Sequence, residues 1–365
     1  MTNQRPDGSP PAGPLAGLRV VEFASIGPGP HVAMLLADLG ADVLRIDREG
    51  GNGWPNPIVD RGRAAMTADI RSEAGKALCL DAGDHADVVI EGLRPGVMER
   101  LGLGPEVMLA RNPKLVYGRM TGWGQTGPLA KAAGHDINYI ALAGALAAIG
   151  RPGEPAVPPL NLVGDFGGGS MFLAFGIMAA LWERERSGQG QVVDAAIVDG
   201  VGSLMTMFAG LLPSGRISLD REHNMLGGAA PFYRSYVCAD GREISLGPIE
   251  PQFWRELLDR IDAPALLRDA QYDQADWAGR SALLVDIFRE RTVAEWSALL
   301  EGTDACFAPV LDLADVPDHP HMQARDAYIE IDGLIQAAPA PRFSRTPGQV
   351  QPARDAGEMI ATWKG

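Results

Sequence analysis

The first half of the sequence alternates short apolar runs with helical patterns, and this alternation restricts the fold more than any other feature. Residues Leu18–Phe23 are mostly apolar and contain two valines, as in a buried strand. Two glycines and two prolines at 27–30 break the chain, and apolar residues then recur at helical spacing over His31–Leu39. A second strand-like run, Asp42–Ile46, follows. Strand, helix and strand at this spacing predict a parallel sheet with helices on both faces.

The same pattern continues along the chain. The predicted elements, in order, are a helix at Ser72–Leu80, strands at Val88–Ile90 and Leu115–Tyr117, a helix at Met171–Arg186, a strand at Val192–Ala195 and a helix at Val198–Leu212. The helix ending at Arg186 has a typical C-terminal signal in Ser187-Gly188. The predicted fold class is therefore α/β, with a doubly wound, Rossmann-like large domain over residues 15–195.

A smaller α+β domain is predicted over residues 228–324. It begins with two strand-like runs, Tyr236–Cys238 and Ile244–Leu246, whose separation by Asp240-Gly241 is typical of a hairpin. Residues 196–227 are predicted to connect the domains, and residues 325–365 to complete the large one. Residues 1–14 are rich in proline, glycine and polar residues and are predicted to be a disordered tail.

Charge and cysteine content exclude several classes of function. The net charge of −14 opposes binding to nucleic acid or to an anionic membrane. The three cysteines show neither a disulfide framework nor metal-ligand spacing. The apolar run Met171–Trp182 is too short to span a bilayer, and the N-terminal residues lack the apolar core of an export signal. We therefore expect a cytoplasmic protein.

The segment Gly27–Val32 lies between a predicted strand and helix, as a dinucleotide-binding fingerprint does, and Asp47 follows the next strand. However, Val32 replaces the third glycine of that fingerprint. Pro28 and Pro30 also lack the backbone N–H groups that would bind a pyrophosphate. The segment therefore favours a tight turn over an NAD site.

Four arginines stand at predicted strand ends: Arg45, Arg48, Arg94 and Arg119. A guanidinium presents a fixed fork of donors that fits phosphate oxygens. Surface solubility explains any single one of them equally well. Several at one sheet edge of an acidic protein favour a phosphorylated ligand.

Three segments carry candidate acid–base residues. His135 precedes an apolar helical stretch in which Asp136 is a candidate helix cap. Asp165 precedes Gly167–Gly169 and a strongly apolar helix, so it either caps that helix or takes part in catalysis. The three glycines would let a substrate approach the backbone closely. Glu250 stands at a strand-to-helix junction, where it either orients an imidazole or begins the helix.

With these residues identified, the sequence resembles the α-methylacyl-CoA racemases of the family III CoA-transferase superfamily. The resemblance extends from Gly17 to the end of the second domain. It rests on residues 17–22, 27–30, 37–43, 45–48, 94–97, 121–128, 134–139, 159–169, 188–195, 249–253 and 303–306. One departure is Gly227, in a loop where these proteins usually have an aspartate.

The resemblance implies an interlocked homodimer that acts on an acyl-CoA substrate without a further cofactor. It implies an active site between the large domain of one chain and the small domain of the other. His135 and Asp165 would come from the first chain and Glu250 from the second. The residues that it implies for CoA binding are Arg48, Thr67, Ala68, Asp69, Ile70, Arg94, Gly134, Asp136, Ile137, Asn138 and Tyr139.

The activity that the resemblance implies is inversion of the α-carbon of 2-methylacyl-CoA thioesters, in lipid metabolism. Transferases of the superfamily use an aspartate at the position of Asp165 as a nucleophile but lack the histidine at 135, so His135 favours the racemase. His135 and Asp165 would exchange protons with opposite faces of the α-carbon, which requires a water-poor site around Asp165. A family III transferase and a CoA-binding protein of the same fold are the alternatives.

Overall fold

The computed structural model describes residues 13–51, 54–269 and 271–365, whose contacts divide the chain into two compact units. The first unit comprises the described residues up to Ala143, together with Pro159–Leu204 and Arg325–Gly365. The second comprises Gly144–Pro158 and the described residues of Met205–Ala324. The tail predicted at residues 1–14 lies, except for its last two residues, outside the described part of the chain.

A six-stranded parallel sheet forms the centre of the first unit. Its strands are β1 Arg19–Phe23, β2 Asp42–Asp47, β3 Arg63–Thr67, β4 Val88–Glu91, β5 Val116–Thr121 and β6 Val192–Ala196. They lie in the order β3-β2-β1-β4-β5-β6, which reverses between β1 and β4. The predicted α/β fold class is confirmed. Strand β3 was not predicted, because its sequence Arg-Ala-Ala-Met-Thr has little β-branched character.

Helices cover both faces of this sheet. They are α1 Pro28–Asp38, α2 Glu73–Asp84, α3 Val97–Arg100, α4 Pro105–Arg111, α5 Asp136–Leu142, α6 Met171–Ser187 and α7 Ile197–Leu204. On one face, Val21 and Leu44 belong to a buried cluster with Cys79 of α2 and Met108 of α4. On the other, α6 packs so closely on β5 that a Cβ at Gly118 would lie 3.0 Å from Leu173.

A nine-residue π-helix, Leu162–Ser170, precedes α6 and continues into it. Asp165 lies inside this π-helix, and the N-cap position of α6 is Ser170, so the interpretation of Asp165 as the cap of that helix is wrong. π-helical turns are rare and occur frequently at functional sites.

The π-helix and α6 together form a helical segment of 26 residues, Leu162–Ser187, that is long and apolar enough to cross a membrane. The expectation that the apolar run Met171–Trp182 is too short to span a bilayer is therefore wrong by length and composition. A single such helix is weak evidence for a membrane span, because core helices of soluble proteins meet the same criterion.

The second unit contains a three-stranded antiparallel sheet of β7 Arg234–Val237, β8 Glu243–Leu246 and β9 Phe307–Pro309. Its helices are α8 Thr206–Leu211, α9 Pro251–Arg260, α10 Trp277–Phe288, α11 Val293–Leu300 and α12 Pro320–Ala324. The strands β7 and β8 form the predicted hairpin, with Gly241 at positive φ in its turn. Aromatic side chains dominate the core of this unit: Phe232, Tyr236, Trp254, Trp277, Phe288 and Trp296.

The C-terminal segment belongs to the first unit. It forms an antiparallel pair, β10 Tyr328–Ile331 and β11 Leu334–Ala337, and then helix α13 Ala356–Lys364. Met359 and Trp363 of α13 are buried in the same apolar cluster as Leu44 of the large sheet. The side chain of Arg19 also donates a 3.0 Å hydrogen bond to the Trp363 carbonyl.

The two units differ from the predicted domains in two places. Residues 144–158, assigned from sequence to the large domain, belong to the second unit. The predicted connection 196–227 is divided, because α7 belongs to the first unit and the chain from Met205 to the second. The helix predicted at Val198–Leu212 is two helices, α7 and α8, with a break at Met205. The domain boundaries themselves stay a prediction.

Candidate active site

A cavity of about 490 Å³ opens in the first unit at the carboxyl ends of the parallel strands. Its walls include residues 25–28 after β1, residues 92–95 after β4 and residues 120–123 at the end of β5. Strands β1 and β4 are the neighbours between which the strand order reverses. The crevice at such a point is where open α/β sheets bind their ligands.

His135 and Asp165 both line this cavity. His135 is exposed and occupies the N-cap position of α5, so the prediction of Asp136 as the cap is wrong. The backbone N–H of His135 donates to Oδ1 of Asn138 at 3.1 Å, and the Asn138 N–H donates to the His135 carbonyl at 2.8 Å. These two hydrogen bonds fix the backbone from which the imidazole reaches the cavity.

Asp165 is half-buried against the turn that follows β1. Gly27 lies so close that a Cβ there would be 3.2 Å from the Asp165 Oδ2, the atom that accepts a 3.3 Å hydrogen bond from Asn161. Burial raises the pKa of Asp165 above its ordinary value, with a further increase from the nearby Asp136 carboxylate. The Asn161 hydrogen bond and His135 lower that pKa. The net increase agrees with the predicted water-poor site.

Tyr139 forms the wall behind His135. Its hydroxyl donates a hydrogen bond to the carbonyl of Gly134, and its ring meets the Trp123 ring edge to face, with centroids 4.8 Å apart. A Cβ at Gly122 would lie 2.0 Å from the Tyr139 ring, so only glycine fits there. Tyr139 therefore joins the end of β5 to the loop that carries His135.

The three glycines after Asp165 do not serve the purpose expected from sequence. A Cβ at Gly168 would lie 2.7 Å from Val201 of α7, and one at Gly169 would lie 3.1 Å from Ile197 and 3.2 Å from Pro28. None of these three glycines is among the residues that line the cavity. They allow the π-helix to pack closely against α1 and α7, so their interpretation as room for a substrate is wrong.

Two of the four strand-end arginines are held by ion pairs. Arg45 is paired with two aspartates at 2.6 and 2.8 Å, and Arg119 with two glutamates at 2.7 and 2.9 Å. The expectation of a phosphorylated ligand is therefore wrong for these two, because their guanidinium groups are already occupied. Arg48 and Arg94 are exposed, and Arg94 lines the cavity.

The structure brings only some of the other predicted residues to the cavity. Gly134 lines the cavity beside His135. Arg48 directly follows β2, and residues 67–70 begin at the last residue of β3. Neither Arg48 nor this segment lines the cavity. Ile137 and Asn138 follow in the first turn of α5, with Ile137 exposed. Glu250 belongs to the second unit and occupies the N-cap position of α9.

Sequence reasoning missed Asn161, whose amide donates to Asp165. Asn161 stands four residues before Asp165, and this spacing was an available signal, because residues four apart face each other along a helix. Trp123 was also missed as a wall residue, although it stands within a segment that carried the family resemblance.

The sequence model of one protein family matches residues 15–356, which is most of the chain. The chain belongs to CoA-transferase family III. Within family III, it is 43% identical over 343 residues to the alpha-methylacyl-CoA racemase of Mus musculus, covering 93% of this chain and 89% of that protein. It is 41% identical over 337 residues to the Homo sapiens protein of the same name, covering 91% and 87%.

Two solved structures agree with this family III assignment. Rv3272 from Mycobacterium tuberculosis superimposes with a TM-score of 0.78 at 29% identity, covering 97% of this chain and 99% of that one. A CAIB/BAIF family protein from Brucella suis gives a TM-score of 0.79 at 28% identity, covering 96% and 98%. The similarity therefore extends over both units.

Proposed function

We propose that this chain racemises the α-carbon of 2-methylacyl-CoA thioesters. One observation carries the proposal: an imidazole, that of His135, and a carboxyl with a raised pKa, that of Asp165, line the same cavity. The mouse and human relatives named alpha-methylacyl-CoA racemase support the substrate class.

Racemisation requires a proton to leave one face of the α-carbon and another to arrive on the opposite face. In one direction, neutral His135 removes the α-proton to give an enolate, and protonated Asp165 delivers a proton to the other face. In the reverse direction, the Asp165 carboxylate is the base and the His135 imidazolium is the acid. One proton leaves and one returns, so the reaction consumes no cofactor.

The enolate places negative charge on the thioester oxygen. We propose that backbone N–H groups in the first turn of α5, beginning at Asp136, donate to this oxygen. One such donor is worth about 3 kcal/mol in comparable sites. Arg94, on the cavity wall, would bind the CoA moiety together with Arg48, the segment 67–70 and the remaining residues of 134–139.

The proposed active form is a homodimer in which Glu250 of a second copy orients the imidazole of His135. Glu250 is exposed, and among the described residues its side chain makes no capping hydrogen bond to α9. Its carboxylate is therefore available to accept a hydrogen bond from an imidazole nitrogen, which would fix the tautomer of His135.

The activity is tested with one pure enantiomer of a 2-methylacyl-CoA in heavy water. The protein is expected to introduce deuterium at the α-carbon and to produce both enantiomers. His135→Ala and Asp165→Asn should each slow formation of the opposite enantiomer by about 10²- to 10⁴-fold, the usual contribution of a general acid or base. The control His321→Ala removes an exposed imidazole from the second unit and should exchange at the wild-type rate.

Absence of exchange by the wild-type protein would reject the racemase. Transfer of CoA from the thioester to a free carboxylic acid, lost in Asp165→Asn, would then identify a family III transferase. Tight CoA binding with neither reaction would identify a binding protein.

A further inference from the structure

The side chain of Asp136 contacts the catalytic carboxyl residue directly. Its Oδ1 accepts a hydrogen bond of 2.7 Å from the backbone N–H of Asp165. The residue is only 7% exposed, and its Oδ2 is buried with no hydrogen-bond partner among the described residues. Burying a carboxyl group with one unpaired oxygen is unfavourable, so the position calls for an explanation beyond helix formation.

Gly164 shows how closely this contact is packed. A Cβ at Gly164 would lie 2.2 Å from Oδ1 of Asp136, so any other residue would displace the carboxyl group. The glycine before Asp165 therefore leaves space for the Asp136 side chain and not for a ligand.

We propose that Asp136 is a positioning residue for Asp165, acting through the backbone N–H that it holds and through its own negative charge. This inference rests on the proposed racemisation, in which Asp165 has to hold a proton in one direction. It assigns a role to the Asp136 side chain, distinct from that of the backbone N–H at the same residue.

The physical reason is repulsion between two carboxylates in a partly buried site. A nearby negative charge disfavours ionisation of Asp165, and the Asp136 carboxylate accordingly raises the pKa of Asp165, adding to the effect of burial. The hydrogen bond from the Asp165 N–H holds the Asp136 side chain of α5 against the π-helix that contains Asp165.

The other groups around Asp165 either lower its pKa or do not contribute to the shift. His135 and Asn161 lower the pKa of Asp165. On α6, the charged residues are confined to its C-terminal part, from Glu183 onward. The remaining titratable side chains on described elements packed against the π-helix are not among the causes of the shift in the pKa of Asp165: Tyr139 on α5, His31 and Asp38 on α1, Asp199 on α7 and Asp194 on β6.

The test is the pH profile of α-deuterium exchange for Asp136→Asn, which retains an oxygen acceptor for the Asp165 N–H but removes the charge. Exchange requires one proton shared by His135 and Asp165, so activity is lost on the acid side when both are protonated. Removing the Asp136 charge lowers the pKa of Asp165. The acid limb of kcat/KM is therefore expected to move to lower pH.

Two comparison variants sharpen this test. Asn161→Ala removes a hydrogen bond that lowers the pKa of Asp165, so its acid limb should move to higher pH. Asp194→Asn is the matched control, because Asp194 also accepts a backbone hydrogen bond, from Gln125 at 3.2 Å, but does not line the cavity. Its profile should coincide with that of the wild type. An acid limb that stays in place in Asp136→Asn, or moves equally in Asp194→Asn, would overturn the inference.

A second measurement separates this inference from the proposed function. The carboxyl signal of Asp165 is titrated by NMR in protein labelled with carbon-13 at aspartate, and Asp165→Asn identifies the signal. Asp136→Asn should titrate at lower pH than the wild type whether or not the protein exchanges deuterium. Unchanged titration would reject the role of Asp136, whereas absence of exchange alone would reject only the racemase.

Discussion

At the scale of single residues, Tyr139 connects the sheet to the loop that carries His135. It is 9% exposed, its ring fills the space left by Gly122, and its hydroxyl holds the Gly134 carbonyl next to His135. The ring contributes apolar burial, and the hydroxyl donates a hydrogen bond to the Gly134 carbonyl.

Tyr139→Phe should keep the ring contacts and lose only the hydrogen bond. We expect the free energy of unfolding to fall by about 1 kcal/mol, measured by urea denaturation. We also expect slower deuterium exchange, because the loop that carries His135 is less firmly held. Tyr328→Phe on β10 is the matched control, since Tyr328 is half-buried and far along the chain from the cavity residues. Equal losses in both variants would mean that the Gly134 contact has no special effect.

At the scale of secondary structure, the crossing of the π-helix and α7 sets the position of Asp165. A Cβ at Gly200 of α7 would lie 1.9 Å from the carbonyl oxygen of Gly168, so the two backbones are in direct contact. The hydroxyl of Ser170 adds a 3.0 Å hydrogen bond to the Pro28 carbonyl on α1. Close backbone packing on two sides holds the π-helix in place.

Gly200→Ala and Gly202→Ala form a matched pair on the same helix. The methyl group at 200 would collide with backbone atoms and should destabilise the protein by about 1–3 kcal/mol, as overpacking does. The methyl group at 202 meets no atom within 4 Å and should be neutral or stabilise by up to about 1 kcal/mol through helix propensity. Thermal and urea unfolding measure both effects. Equal stability of the two variants would contradict the close crossing.

At the scale of the whole molecule, α6 presents an apolar row to solvent. Phe175 is 75% and Trp182 71% exposed, and Met171 and Met178 lie on the same face of the helix. Large aromatic residues exposed in a continuous row mark an interaction surface. The row agrees with the proposed homodimer, in which a second copy of the chain would cover it.

The double variant Phe175→Glu/Trp182→Glu tests this row. Light scattering should give the wild type about twice the chain mass of 38.7 kDa and the variant a single chain mass. Exchange activity should fall with the dimer, because Glu250 of the second copy would be absent. Val107→Glu, which changes an exposed apolar residue of α4, is the control and should remain dimeric. A wild type that is monomeric and fully active would reject the proposed dimer.

Much of the fold could be predicted from local sequence. Strong local signals are the apolar runs of β1, β2, β4 and β5 and the glycine that ends α6. A buried strand requires several neighbouring apolar residues, and a helix end favours glycine, so both features can be seen within short segments. The weakly apolar strand β3 and the break at Met205 could not be predicted, because neighbouring elements impose them and local propensity does not.

The sequence by itself determined the α/β fold class and the residue types available for proton transfer, His135 and Asp165, since both depend on patterns and motifs within short segments. Only the tertiary structure decided which groups surround Asp165: Asp136, 29 positions earlier in the chain, and Gly27, far earlier still. It also assigned Arg45 and Arg119 to ion pairs instead of a ligand. The reason is that electrostatic and packing effects depend on distance in space, and the folded sheet brings together groups that the sequence separates.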